Sequence, residues 1–69
     1  MDKKTFATRV LGLKKRQHFD AVLLGKRNLS YKRSRLAAHV LGTAANVWQD
    51  SDLVLARRAA WEKFIKDAA

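Results

Sequence analysis

The chain has no cysteine and no proline, and only three glycines in 69 residues. Without cysteine there is no disulfide scaffold, no thiolate zinc site and no cysteine nucleophile. The lack of proline and the scarcity of glycine argue against a turn-rich β protein. Glutamate occurs once, at Glu62, so a carboxylate pair would have to come from aspartate alone. The only histidines, His18 and His39, stand 21 residues apart, and a metal would need at least one further good ligand. Gly12, Gly25 and Gly42 are isolated and form no phosphate-cradling loop. No local spacing suggests a Ser/His/Asp arrangement. A non-enzyme without metal or cofactor is expected. No run approaches the roughly 18 apolar residues of a membrane span. Met1-Asp2-Lys3-Lys4 has no apolar stretch behind it of the kind a signal peptide needs. These absences fit a reducing cytoplasm and no membrane partner.

Positive charge is what the sequence has in excess, and it is unevenly placed. The net charge is +9. Residues 1–35 carry eleven of the fifteen cations and two of the six acids, while the four cations and four acids of residues 36–69 cancel. A one-sided basic field suits a polyanion, because neutralised phosphates release condensed counterions. Hydrophobic residues make up 48%, too many for a disordered tail. The length allows a single domain, residues 1–69.

The pattern is all-α, a bundle of four to five short helices. Asp2 caps a first helix, about Lys3 to Leu11, with Phe6 and Val10 on one face and Gly12 as its stop. Phe19, Val22 and Leu23 follow at the spacing of a buried stripe and place a second helix from about Lys15 to Leu24, ended by Gly25. Ser30 caps a third, Tyr31 to Leu41, with Leu36, Ala37, Val40 and Leu41 expected inside. Gly42 stops it, and Thr43 is expected to cap a short helix through Trp48. Asp50, Ser51 and Asp52 precede a last helix, about Leu53 to Asp67, with an outer Glu62–Lys66 pair. Phe6, Phe19, Trp48, Trp61 and Phe64 are read as core or dimer interface. Tyr31, in a basic run without apolar partners, is not.

Two helices of about eight to ten residues around Gly12-Leu13-Lys14 form a helix-turn-helix pattern. Leu23-Leu24-Gly25-Lys26-Arg27-Asn28-Leu29-Ser30 resembles the recognition-helix end and Gly-Lys-Arg loop of the phage-repressor-like helix-turn-helix family (Cro and lambda-repressor type), also found in antitoxins. Ser30 to Trp48 resembles that family's next helix and Trp-bearing turn, with Leu36, Ala37, Leu41, Gly42, Thr43 and Trp48 falling where the pattern puts them. The likeness covers about residues 13–48. The family's helix ahead of this pair has no counterpart in these 69 residues, and the turn between Gly12 and Phe19 is one residue longer than usual. The missing helix's place falls to the C-terminal helix or to a second subunit.

The resemblance implies a transcriptional regulator on double-stranded DNA, with the helix around residues 15–24 in the major groove. Base contacts are then expected from Lys14, Lys15, Arg16, Gln17, His18 and Ala21. Gln17 suits adenine, Arg16 a guanine or a phosphate, and Ala21 a thymine methyl group. Lys26, Arg27, Tyr31, Lys32, Arg33 and Arg35 are expected at phosphates. Tyr31 alternatively suits a base of single-stranded nucleic acid. A homodimer is expected, because specificity gains from two half-sites about 34 Å apart; Trp61, Phe64 and Ile65 are its expected interface. The rival reading is a basic protein-interaction module, an adaptor or inhibitor on an acidic partner protein. Adsorption to anionic membrane fits less well, since the basic helices lack a broad apolar face.

Overall fold

Asp2 stands in extended conformation and its carboxylate accepts from the Thr5 amide at 2.7 Å, which starts the first helix. The computed structural model describes residues 2–68. Helix α1, Lys3–Thr5, passes directly into a π-helical turn, Phe6–Val10, closed by a Leu11 amide to Phe6 carbonyl bond of 3.1 Å. The expected stripe is thereby shifted. In the wider turn Phe6, Ala7 and Leu11 are buried, and Val10 is only partly so. Gly12, at φ +70°, turns the chain.

Helix α2, Arg16–Leu23, buries Phe19, Val22 and Leu23 as the spacing requires. Gly25 ends it at φ +79°, and a Cβ there would sit 3.3 Å from Val54 Cγ2. Helix α3, Tyr31–Leu41, starts at Ser30, whose hydroxyl accepts from the Arg33 amide, and stops at a left-handed Gly42. Its inner face differs from the expected one. Ser34, Ala37 and Ala38 are buried and Leu41 half-buried, whereas Leu36 and Val40 are 40% and 37% exposed. These small inward residues suit close packing of α3 on the following turn, and the buried Ser34 hydroxyl is satisfied by the Leu29 carbonyl. Leu36 and Val40 are left outward.

Thr43 caps nothing. A 3-10 turn, Ala45–Trp48, replaces the expected short helix and starts at Ala44, while the Thr43 hydroxyl accepts the Trp48 indole N–H at 2.8 Å. A second 3-10 turn, Ser51–Leu53, is capped by Asp50 and leads into α4, Val54–Ala68. Trp61 of α4 lies 5.2 Å from the rings of both Phe6 and Phe19, Phe64 adds a contact to Phe6, and Trp48 stacks on Phe19. The C-terminal helix thus closes the core over α1 and α2. All-α architecture follows, and no strand occurs among the described residues.

Candidate functional site

Helix α2 has one face in the aromatic core and the other in solvent. Lys14, Lys15, Arg16 and Gln17 are exposed, and His18 and Ala21 are half-buried. Lys14, Lys15, Gln17, His18 and Ala21 line one shallow depression together with Arg27. Five of the six residues expected at base edges therefore share one concavity with a cation from the following loop. Arg16 lies in an adjoining depression with Lys4, Thr8, Lys14, Lys15 and Gln17, and its Nε stands 3.4 Å from Asp20. Asp20 also pairs with Lys3 at 2.9 Å. Arg16 is thus partly neutralised on the flank.

The chain from Ala21 to Gln49 contains no acid, and among the described residues Lys14, Lys15 and Arg27 form no ion pair, since Asp20 is taken by Lys3 and Arg16. Burial holds the His18 imidazole below its ordinary pKa, and Arg27 and Arg33 add to the effect. His18 is accordingly mainly neutral at pH 7, with one nitrogen to donate and one to accept.

Lys26 and Arg27 are exposed in the loop after Gly25, with both backbone amides turned back to the Ala21 carbonyl at 2.9 and 3.4 Å. They flank the exposed α2 surface. Of the other four expected phosphate contacts, Arg33 acts on His18 together with Arg27 and so lies towards α2, whereas Tyr31, Lys32 and Arg35 lie elsewhere. Arg33 is occupied, its Nε donating to the Leu11 carbonyl at 2.8 Å and a terminal nitrogen to Gly12 at 3.3 Å. Tyr31 and Arg35 lie roughly 160° round α3 from Arg33 at 100° per residue. With Lys32, Leu36 and His39 they line a separate depression, the Arg35 guanidinium 5.8 Å from the Tyr31 ring centre. The basic residues of the leading half therefore divide between two faces instead of converging on one.

The expected dimer interface is corrected as well. Trp61 is 6% exposed inside the aromatic cluster and Phe64 packs on Phe6 and is half-buried, so of the three only Ile65, at 42%, is an exposed residue. The four bulky rings of the cluster need Trp61 to complete a core this small.

Arg57 is the residue that sequence reasoning missed. It is wholly buried on α4, and among the described residues no carboxylate lies within ion-pair distance. Its guanidinium donates to the Val47 carbonyl at 2.6 Å, the Val22 carbonyl at 2.8 Å, the Arg27 carbonyl at 3.1 Å and the Asn28 side-chain oxygen at 2.7 Å. Val22 belongs to the last turn of α2, where the helix dipole favours a cation. Burial lowers the Arg57 pKa and Asp50 opposes that, yet an arginine stays charged. The sequence did hold one signal. Arg57 is in phase with Val54, Trp61 and Phe64, so a cation interrupts the apolar stripe.

Among the described residues no helix is long and apolar enough to cross a membrane, and no three metal-ligating side chains gather. Comparison of the chain with protein-family models, with curated proteins and with solved structures finds no match.

Proposed function

We propose that the chain is a sequence-specific double-stranded DNA-binding transcriptional regulator, of the phage, plasmid or antitoxin type suggested by the resemblance, with α2 in the major groove. The observation that carries this reading is the shared concavity of Lys14, Lys15, Gln17, His18, Ala21 and Arg27 on the solvent side of α2. An exposed amide, a neutral imidazole and a small apolar side chain at its centre suit base edges, and the cations around them suit the phosphates on either side. Gln17 would hold adenine in two hydrogen bonds, and Ala21 would let the helix approach a thymine methyl group. Lys26 and Arg27 would fix the register, with Lys14, Lys15 and Arg16 on the opposite backbone. The protein would act as a homodimer on two half-sites, and Ile65, not Trp61, would contribute to the pairing surface.

Fluorescence anisotropy with random duplex DNA over a salt series tests the reading. Four to six phosphate contacts give a logarithmic salt slope of about −4 to −5. Selection of bound duplexes from a random pool should then return a palindrome.

A second reading is favoured by the outer face of α3. Tyr31, 63% exposed, and the outward Leu36 line one depression with Lys32, Arg35 and His39, and no acid lines it. An acidic, partly apolar segment of a partner protein fits that face, as an adaptor or inhibitor would require. Absence of salt-dependent binding to any duplex would favour it over the first reading.

A further inference from the structure

Arg57 belongs to α4, yet everything its guanidinium holds lies in other elements. The acceptors are the end of α2 at Val22, the loop after it at Arg27 and Asn28, and the 3-10 turn at Val47. The loop is anchored at its far end by the Leu29 amide on the Trp48 carbonyl at 2.9 Å, but at Lys26 and Arg27 the two amides share one carbonyl, that of Ala21, and the second bond is long at 3.4 Å. A buried charge with no direct ion pair among the described residues is a poor device for stability alone, because apolar residues of similar volume often serve as well or better. Its advantage is direction. A planar fork of five donors fixes several acceptors at set angles, and an ammonium does not.

We propose that Arg57 is a positioning residue for polyanion binding: from α4 it clamps the loop carrying Lys26 and Arg27 to the C-terminal end of α2, so that these two cations and the Gln17 face meet one duplex together. The inference rests on the DNA-binding reading and deepens it, because it ties the phosphate contacts of that site to a residue that touches no DNA. The neighbouring Arg58 has the same charge but is exposed, and supplies a control for simple loss of a cation.

The test is anisotropy against random duplex DNA across a salt series, for the native chain and for Arg57→Lys, Arg57→Met, Asn28→Ala and Arg58→Ala, with circular dichroism as a folding check. Folded Arg57 variants should flatten the slope by about 1.8, two phosphates at about 0.9 each, and weaken binding about tenfold at low salt. Asn28→Ala should show part of that loss, and the part should vanish when Arg57 is already lysine. Arg58→Ala should leave the slope within one contact of native, a change of about 0.9 or less. A role in packing alone moves melting temperature and leaves the slope of the folded protein in place. Native slopes in both Arg57 variants, or additive effects of Asn28→Ala and Arg57→Lys, overturn the proposal. If neither Arg57 variant folds, Asn28→Ala decides, since Asn28 is exposed and its loss spares the other three bonds; unchanged slope and affinity then overturn the clamp. A native chain that binds no duplex at all overturns the DNA-binding reading and the clamp with it. Native binding with unaltered variants overturns the clamp alone.

Discussion

Arg33 of α3 donates from Nε to the Leu11 carbonyl at 2.8 Å, so a residue of the basic run closes the end of the first helix from 22 residues away. The orphan carbonyls of a helix end need partners, and a charged donor is a strong one. Arg33→Ala should therefore act first on folding. Loss of a charge-assisted bond in a half-buried place is expected to cost about 1–2 kcal/mol. For a domain of this size that lowers the melting temperature by roughly 4–16 °C. Arg35→Ala, which removes only an exposed guanidinium beside Tyr31, should stay within about 0.5 kcal/mol of native. Urea melts of the two variants check the contrast, and equal stability of both would remove the structural role of Arg33.

Gln17 is exposed, makes no side-chain hydrogen bond among the described residues, and lines both depressions on the α2 side. Gln17→Ala should leave the melt unchanged and relax preference at one base pair by about 1–3 kcal/mol. Lys26→Ala should instead weaken all duplexes alike and flatten the salt slope by about 0.9. Competition between a selected duplex and single-base variants separates the two. If Gln17→Ala and Lys26→Ala scale every sequence by the same factor, α2 does not read bases.

His18 gives the α2 depression a pH signature. Burial, then Arg27 and Arg33, disfavour its imidazolium, so the folded chain takes up this proton below the ordinary value of 6.5. The unfolded chain takes it up first as the pH falls. The stability linked to His18 is complete above pH of about 6.5 and is lost as the pH drops from there to the folded-state pKa, below which it falls no further. Denaturation midpoints between neutral and mildly acidic pH should decline in the native chain, and less steeply in His18→Gln. An NMR titration should place the His18 ring below its value in the denatured chain. A midpoint curve identical in the two proteins would show that the imidazole is freely solvated.

The helix ends were legible in the sequence because their causes are local. Asp2, Ser30 and Asp50 each satisfy amides within three residues, and Gly12, Gly25 and Gly42 each adopt positive φ where a helix stops. The aromatic core was legible from spacing, and so was the outward face of α2. What lay beyond reach depends on contacts distant in the chain. The rotation of α3 is visible only once Ala37, Ala38 and Ser34 are seen against the turn that follows, since Leu36 and Val40 are the more hydrophobic choice by composition. The π turn shifts the stripe of the first helix by one residue, and no residue type announces it. Arg33 reads as a phosphate contact and Arg57 draws no reading at all, because their acceptors are mainly backbone carbonyls, which carry no sequence signal. The divided basic surface follows from Arg33, which points one way round α3 while Tyr31 and Arg35 point the other.

Thr43 offers the sharpest test of a sequence-level expectation that the structure replaced. As a helix cap, Thr43 would lose little on conversion to serine and would suffer on conversion to alanine through its own backbone neighbours. As the acceptor for Trp48 it serves a different group, a fully buried indole whose N–H has no other partner among the described residues. Thr43→Val keeps the shape and removes the acceptor. The stranded N–H should cost about 1–3 kcal/mol, and the Trp48 indole proton resonance should shift upfield and exchange faster with solvent. Thr43→Ser restores an oxygen and should recover most of the loss. Trp48→Phe should in turn make Thr43→Val nearly neutral, because removal of both partners leaves no buried donor unsatisfied. Independent effects of the two substitutions would mean that the bond contributes nothing and that Thr43 acts through the turn alone.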